Sequence, residues 1–439
     1  MKARLVPVYF RSGRDREFND QVERLSGLLT EEAEILEPVA LGSTLPEAEA
    51  VVFPQLLGDA YTQVADLKKT NLPLLIITSE FGTVSMWDWE IATYLKAEGI
   101  STISAPDLAH TKKICKGLGV KRELHDTKFL VFQDNPGEGF QASIFKRFYW
   151  WEDECTQRIK EKFGVTIVKK SFQELGAVAK QISDQEAETV WEHWQLPTEG
   201  ISQKALNSAI KIYLAVKQEL ARDATIKAVG INCLNESHFS DTTPCLAWNM
   251  LFEEKGIIWG CEADTMAMLT KYILNKSLNV PIMMSNLYPF LMGQAALKHE
   301  RIPDFPKVNA APEDHLLLAH CGYLGVVPKS FCTEWTLRPK VLAIVNDNAT
   351  AIDARLPVGD MTLAKLHPTF NKIMVAEGDL EDYAQYPGSD CRNGAFIRVS
   401  DGQKLMHTLY SHHYCLMTGH RRGEIEMLSR VFDLELEEI

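Results

Sequence analysis

The segment Gly256–Asp264, which reads GIIWGCEAD, places two acidic side chains directly after an apolar run. A second segment of chemical interest, His320–Gly322, follows the apolar run LLLA, and His412 and His413 stand side by side near the C-terminus. Carboxylate oxygens and imidazole nitrogens together suit Mn²⁺, Mg²⁺ or Fe²⁺ and leave coordination positions for hydroxyl groups. These residues therefore predict metal-assisted chemistry on a polyol.

Glu262 and Asp264 lie where a predicted strand meets the following helix. Ligands of open α/β sheets bind at the carboxyl ends of strands, so we interpret Glu262 as a metal ligand and acid/base group rather than a surface carboxylate. Asp264 has two open roles. It either caps the following helix or orients the groups around the metal.

The histidines are interpreted from their neighbours. His320 is either a buried structural residue or a ligand, since the small Cys321 and Gly322 after it allow the backbone to approach a bound group closely. Neighbouring residues on a strand face opposite ways, so we expect only one of His412 and His413 to point into a given site. We predict His413 as the ligand and His412 as an orienting or surface residue.

Asn286 follows an apolar run that is typical of a buried strand. Its amide supplies a neutral carbonyl oxygen, which is a weaker metal ligand than a carboxylate and cannot accept a proton at neutral pH. A turn residue at the end of a strand is an equally good interpretation.

Composition and charge exclude several classes of protein. The chain of 439 residues has a net charge of −13 and no basic patch of the kind that binds nucleic acid. No stretch approaches the roughly 18 apolar residues of a membrane span, and the N-terminal segment lacks the apolar core of a signal peptide. Its 9 cysteines are scattered and contain no CxxC pair, a pattern typical of reduced thiols. We therefore predict a cytoplasmic protein without nucleic-acid or membrane partners.

The order of predicted elements indicates the fold class. Short β-branched runs alternate with helical segments, which predicts doubly wound parallel sheets, and after Pro328 this gives way to short strands separated by turns. We predict an α/β protein with Rossmann-like domains at 1–127 and 128–328 and a mostly antiparallel β domain with a closing helix at 329–439. The first domain has predicted strands at 5–10, 34–40, 50–54, 73–79 and 100–106. The central domain has predicted helices at 202–222, 245–255 and 264–276 and strands at 226–234, 279–287 and 315–322.

Six regions resemble, in order, the L-fucose isomerase and L-arabinose isomerase superfamily, in particular its compact fucose isomerase-like members. Each region is a weak match alone, and their shared order makes the resemblance specific. The regions are PLLIITSEFGTVSMWDWEIATYLKAEGI, FQDNPGEGFQ with KEKFGVTIVKKSFQEL, CLNESHFSDTTPCLAWNMLFEEKGIIWGCEAD, LLLAHCG, PVGDMTLAKLHPTFNKIMVAEGDL and YSHHYCLMTG.

The resemblance implies three domains with a metal site between the second and the third. It also implies that the first domain of a neighbouring subunit completes the active site, in a homo-oligomer that is a trimer, tetramer or hexamer. The family's metal-binding acid falls at Glu262, its C-terminal histidine at 412–413 with His413 preferred, and a further histidine at His320. The family's second metal carboxylate falls at Ser285 or Asn286, where this chain has no carboxylate.

We therefore predict a metal-dependent aldose–ketose isomerase of carbohydrate metabolism, an intramolecular oxidoreductase that acts on a deoxy-sugar or pentose through an ene-diol. The predicted cofactor is Mn²⁺, or Mg²⁺ or Fe²⁺ in its place, and the predicted catalytic residues are Glu262 and Asp264. The predicted metal ligands are Glu262, Asn286, His320 and His413.

The absent second carboxylate leaves two alternatives open. One is a sugar-binding or regulatory protein without catalysis, and the other is an epimerase or lyase that acts on a modified sugar. The acids that could replace the carboxylate in an active isomerase are Glu236, Asp264 and Asp304.

Overall fold

The computed structural model describes residues 1–10, 14–55, 57–135, 142–147, 152–289, 311–321, 323–384 and 394–439. Asp304 and Gly322, two residues of the sequence analysis, lie outside these ranges. The chain divides into two compact units. The first unit comprises Met1–His125, Ile273–Asn279 and Gly423–Leu436, and the second comprises Asp126–Tyr272, Val280–Arg422 and Glu437–Ile439.

The first unit contains a parallel sheet. Its strands are β1 (Ala3–Tyr9), β2 (Ala33–Ile35), β3 (Val39–Ala40), β4 (Ala50–Phe53), β5 (Leu74–Ile76) and β6 (Thr102–Ile103). Their order is β2-β1-β4-β5-β6, with β3 also paired to β1, and every pairing is parallel as predicted. Between these strands lie α1 (Arg16–Leu28), α2 (Val64–Leu67) and α3 (Asp88–Ala97), and α4 (Leu108–His125) follows β6.

One predicted strand of this sheet is divided. The segment 34–40 forms the end of β2 and the whole of β3, with Pro38 between them. Proline has no backbone N–H to donate, so it interrupts a ladder of backbone hydrogen bonds.

The second unit contains a four-stranded parallel sheet of order β10-β9-β7-β8. Its strands are β7 (Lys128–Phe132), β8 (Thr166–Lys170), β9 (Ile226–Ile231) and β10 (Ile258–Cys261). The helices in this part of the chain are α5 (Asp153–Phe163), α6 (Phe172–Gln181), α7 (Asp184–Trp194), α8 (Gln203–Arg222), α9 (Cys233–Glu236), α10 (Cys245–Lys255) and α11 (Thr265–Leu278). The predicted helices at 202–222, 245–255 and 264–276 are confirmed by α8, α10 and α11.

An antiparallel sheet follows, in which six strands close on themselves. They run in the order β15-β18-β11-β12-β17-β16, and a pairing of β16 with β15 completes the ring. The remaining elements are β11 (Met283–Pro289), β12 (His315–Ala319), β13 (Glu334–Pro339), β14 (Thr350–Arg355), β15 (Gly359–Leu366), β16 (Lys372–Ala384), β17 (Gly394–Val399), α12 (Gly402–Thr408), β18 (His413–Thr418), α13 (Arg422–Val431) and β19 (Glu435–Glu438). Among these, β13 pairs with β14 in a separate two-stranded sheet.

Strands from both sides of residue 328 build this closed sheet. Although β11 and β12 precede the predicted domain boundary, β11 lies between β12 and β18. Sheet membership depends on register between segments that are distant in sequence, and the apolar pattern of one segment does not reveal it. The three-domain division stays a prediction.

The described residues therefore form a mixed α/β fold, with two parallel sheets, one closed antiparallel sheet and a separate two-stranded antiparallel sheet. The assignment of the parallel sheets to two Rossmann-like domains stays a prediction. Among the described helices, none has the length and apolar character that a membrane span needs.

Candidate metal centre

Glu262 leaves the parallel sheet of the second unit in a strained turn. It follows the last residue of β10, and both Glu262 and Ala263 have left-handed backbone, with φ of 54° and 57°. For residues other than glycine this conformation costs about 1–2 kcal/mol each, and such strain occurs preferentially at functional sites. Glu262 is 8% exposed. The turn thus places a buried carboxylate at the carboxyl edge of the sheet.

Asp264 fills both roles that the sequence left open, with one oxygen for each. Its Oδ1 accepts a hydrogen bond of 2.8 Å from the backbone N–H of Ala267 and so caps α11. Its Oδ2 accepts one of 2.8 Å from Nδ1 of His413 and one of 3.2 Å from Nζ of Lys365. Both oxygens are therefore occupied.

The hydrogen bond to Asp264 orients the His413 ring toward Glu262. A carboxylate only accepts, so Nδ1 of His413 carries the hydrogen and Nε2 is the atom nearer Glu262, at 3.9 Å from Oε2. That separation accommodates a cation at about 2.1 Å from each atom. A histidine held by a carboxylate on one nitrogen and by a metal on the other is a recurring metal-site arrangement.

His412 joins this group. One ligand atom from each of Glu262, His412 and His413 lies within 4.8 Å of the others. The expectation that only His413 faces the site assumed regular strand geometry, but β18 begins at His413, so His412 stands outside the strand. Partial burial and repulsion from His413 lower the pKa of His412, so its imidazole is neutral and able to bind a metal.

His320 lies beside the group. Its ring centroid is 5.6 Å from that of His413, and its Nε2 is buried without a hydrogen-bond partner among the described residues. Burial lowers its pKa to about 3. His320 therefore offers a further neutral imidazole next to the three grouped residues.

The structure distinguishes Ser285 from Asn286. Asn286 stands directly opposite His413 in the ladder of β11 and β18, so the two side chains share a face of the sheet. Its Nδ2 donates to the Tyr288 hydroxyl at 2.9 Å, and its Oδ1 is buried with no partner in the described part of the chain. The Ser285 hydroxyl instead donates a hydrogen bond of 2.8 Å to the backbone carbonyl of Leu324. Asn286 is thus the position next to the candidate centre.

The two carboxylates have opposite electrostatic environments. Burial raises the pKa of Glu262, and the neighbouring Asp264 raises it further against the attraction of His413. Burial would also raise the pKa of Asp264, but the Lys365 ammonium and the His413 hydrogen bond outweigh it and lower that pKa. The pKa of Glu262 is therefore raised above that of an ordinary glutamate, whereas Asp264 stays ionised.

A small cavity adjoins Glu262. It has room for about one water molecule, and Cys233, Cys245 and Cys321 line it together with apolar side chains. Its size fits a water or a single ion rather than a sugar.

Two buried amides continue the same sheet edge. Phe132, Ile231 and Cys261 are in register at the ends of β7, β9 and β10, so the residues that follow them, Gln133, Asn232 and Glu262, stand side by side. The side chains of Gln133 and Asn232 are 4% and 1% exposed. The polar side-chain atoms of both residues lack hydrogen-bond partners among the described residues. Asn232 lies near the Glu236 carboxyl.

Glu236, one of the acids that could replace the absent carboxylate, is engaged by backbone groups. It is buried and accepts hydrogen bonds from the backbone N–H groups of Asp134 and Asn135, the latter at 2.6 Å. These contacts hold the chain after β7 in place. The other two acids considered for this role are Asp264, whose oxygens are occupied, and Asp304, which lies outside the described residues.

Sequence reasoning missed Lys365, Gln133 and Asn232. Lys365 is completely buried, and its signal is the single charged residue of the strand segment MTLAKL. The two amides share another signal, a polar residue that directly ends an apolar run. Lys365 contacts Asp264, and the two amides lie on the sheet edge that carries Glu262. Both relationships join residues that are distant in sequence.

A second group, Asp360, Asp379 and His420, also brings possible ligand atoms within 4.8 Å of one another. Asp360 and His420 are exposed, and Asp379 already forms an ion pair of 2.6 Å with Arg398. Glu262, His412 and His413 are therefore the stronger candidate.

The comparisons with known proteins add no assignment. No protein-family model matches the chain, and no curated protein sequence matches it. The resemblance to sugar isomerases consequently remains a prediction from the quoted segments.

Proposed function

We propose that this protein is a metal-dependent aldose–ketose isomerase that acts on a deoxy-sugar or pentose. The observation that carries the proposal is the convergence of Glu262, His412 and His413, with Asp264 bound to the far side of the His413 ring. These residues come from the parallel sheet edge and from the start of β18 with the residue before it, and their types match the ligands expected from the resemblance.

The donor set fits a divalent cation. Glu262, His412 and His413 would hold it, with His320 and Asn286 beside them, and one carboxylate with two imidazoles suits Fe²⁺ or Mn²⁺ better than Mg²⁺. A bound cation would polarise the carbonyl and hydroxyl oxygens of a sugar.

The proton transfer of the isomerisation falls to Glu262. Its raised pKa allows it to accept a proton from one sugar carbon and return it to the neighbouring carbon, by way of an ene-diol. Asp264 is ionised and fully hydrogen-bonded, so its role is to position His413. Of the two catalytic residues proposed from the sequence, Glu262 is therefore the one assigned to proton transfer.

The amides of Gln133 and Asn232 support a polar substrate. Each offers donors and an acceptor that match hydroxyl groups, and both lie on the sheet edge that carries Glu262. The strand order of the first sheet without β3 corresponds to the flavodoxin-like order, which supports a Rossmann-like first domain. The proposal includes a cytoplasmic homo-oligomer, as the resemblance implies.

Asn286 favours a second candidate function. An amide opposite His413 supplies no charge to the metal and no base, so a sugar-binding protein that has lost catalysis would have the same features.

One experiment separates the two functions. The purified protein is freed of metal, reloaded with Mn²⁺, Fe²⁺ or Mg²⁺, and incubated with a panel of aldoses that includes 6-deoxyhexoses and pentoses. We expect ketose formation that requires Mn²⁺ or Fe²⁺. Sugar binding without ketose formation under any loading supports the binding protein, and a protein that retains neither metal nor sugar refutes both.

A further inference from the structure

The candidate metal centre offers less negative charge than its two acidic residues suggest. Asp264 and Lys365 are 1% and 0% exposed, and the Lys365 Nζ lies 3.2 Å from the Asp264 Oδ2. The net charge of this pair is zero whichever member holds the shared proton, because a proton transfer between them carries no charge out of the pair. Asp264 therefore orients His413 but adds no net charge for a bound cation.

Asn286 adds no charge either. It stands opposite His413 in the ladder of β11 and β18, and its Oδ1 is buried without a hydrogen-bond partner among the described residues. An amide oxygen can contact a cation, but the amide as a whole is neutral. His412 and His413 are also neutral when they bind a metal. Among the three grouped residues, the full negative charge therefore comes from Glu262.

Other charged side chains in this part of the second unit have partners of their own. The Glu236 carboxyl accepts hydrogen bonds from two backbone N–H groups. Lys340, which lines the small cavity beside Glu262, is paired with Asp347 at 2.8 Å. The Lys271 Nζ lies 3.6 Å from the centroid of the Trp259 ring, and a lysine cannot offset a positive charge. None of these side chains supplies a second negative charge to the centre.

A divalent cation held by Glu262 would thus leave one positive charge without a counter-charge. An uncompensated charge at a buried site is costly, and a ligand of opposite charge removes that cost. We propose that the candidate centre recognises negatively charged polyols, in particular those with a carboxylate next to a hydroxyl group. The inference rests on the proposed function and specifies the class of ligand that completes its centre.

The same excess of positive charge suits the proposed isomerisation. A sugar that gives a carbon-bound proton to Glu262 develops negative charge on its oxygens on the way to the ene-diol. A site with uncompensated positive charge stabilises this form more than the neutral sugar, and such a difference lowers the barrier. A carboxylate beside a hydroxyl group has the same charge and a similar arrangement of oxygens.

The test compares pairs of ligands that have nearly the same shape and differ in charge. Each pentonate is paired with the pentonamide of the same configuration, and calorimetry measures the binding of both to Mn²⁺-loaded and to metal-free protein. For the configuration that binds best, the loaded protein should bind the pentonate about tenfold more tightly than the pentonamide. The metal-free protein should show no such preference.

Two variants should remove the preference by different routes. Asn286→Asp adds a negative charge opposite His413, and Lys365→Met removes the ammonium that cancels the charge of Asp264. Each should make the two affinities nearly equal. Gln185→Glu is the matched control, because it adds the same charge at an exposed position of α7, where solvent and salt screen it. It should keep the wild-type preference.

Thermal unfolding in the presence of Mn²⁺ shows whether each variant is folded, and a variant that is not leaves the other to decide. Equal wild-type affinities for the two ligands, or a pentonate that does not bind, overturn the inference. Mn²⁺ that is still retained in that case supports the metal centre of the proposed function. A protein that retains no Mn²⁺ overturns both.

Discussion

Asp264 and His413, which are distant in sequence, share a hydrogen bond of 2.8 Å between two completely buried side chains. The same carboxylate caps α11 and pairs with the buried Lys365 ammonium. One side chain therefore links the start of a helix, the orientation of a candidate ligand and a buried charge.

Replacement of Asp264 by Asn should separate these roles. Asparagine is an equally good helix cap, but it removes the negative charge that orients His413 and neutralises Lys365. We expect metal affinity to fall about 10–100-fold and the free energy of unfolding to fall by about 3–5 kcal/mol. Metal titration calorimetry and chemical denaturation measure the two effects.

The double variant Asp264→Asn/Lys365→Met is the control, because it also removes the uncompensated lysine charge. It should recover much of the stability but none of the metal affinity. Wild-type affinity in the single variant would show that Asp264 does not position a ligand.

Glu262→Gln should change the pH dependence of stability in the metal-free protein. The pKa of Glu262 is raised above the ordinary value of 4.5, so above that pH the folded state binds more protons than the unfolded state and stability falls as pH rises. The variant has no titratable group at this position, so its stability should not fall with rising pH for this reason. It should match the wild type near about pH 4 and be more stable near about pH 8, as denaturation at both pH values would show.

Added Mn²⁺ should make the wild type more stable than Glu262→Gln, because metal binding stabilises the wild type while the variant retains no metal. Glu254→Gln provides the matched control. Glu254 is paired with Lys217 and Tyr213, so its removal should bring no gain at the higher pH. An equal gain in both variants would argue against a special environment at Glu262.

Histidine substitutions should rank the candidate ligands. His412→Asn and His413→Asn should each reduce metal affinity by more than the roughly 10–100-fold that an orienting residue contributes, since both belong to the grouped residues. His320→Asn should have a smaller effect, and His367→Asn, at a half-buried histidine bonded to Thr369 and outside the grouped residues, should have none. Calorimetry with Mn²⁺ measures all four, and a largest loss at His320 would require a different ligand set.

Asn286→Asp should strengthen metal binding. It introduces a second carboxylate opposite His413, and a greater ligand charge should raise affinity by about tenfold or more. The added charge should also destabilise the metal-free protein. Ser285→Asp is the matched control, because that neighbouring side chain bonds to Leu324 and should lower stability without tightening metal binding.

Lys271→Met should stabilise the protein. Lys271 is completely buried above the Trp259 ring, its Nζ being 3.6 Å from the centroid, and burial lowers its pKa to about 7. Between pH 7 and its ordinary pKa of 10.5 the unfolded state binds the extra proton, so stability rises with pH across this range. The cost of the buried charge is complete below about pH 7, where we expect a gain on the order of 3 kcal/mol.

That gain should shrink as pH approaches 10.5, the ordinary pKa, and denaturation at several pH values would show the trend. Lys276→Met, on the same helix but at a half-buried position, should not reproduce this pH-dependent gain. A gain that does not vary with pH would indicate better packing instead of a removed charge.

The individual elements were predictable because their signals are local. The spacing of apolar residues and the Ser202 cap identified α8, and the apolar run before Glu262 identified the strand that presents it. The residue types at 262, 412, 413 and 320 likewise indicated metal-binding chemistry before any geometry was known. Pattern and propensity act over a few residues, and a single sequence displays them directly.

Other features were decided by tertiary structure alone. The pairing of β11 with β18 places Asn286 opposite His413, and the path of the chain brings Lys365 to Asp264. Each contact joins segments that are distant in sequence, and its existence depends on strand register and on packing between elements. The amino-acid sequence thus determined which chemical groups are available, and the fold decided which of them meet, because burial and register are properties of the assembled chain.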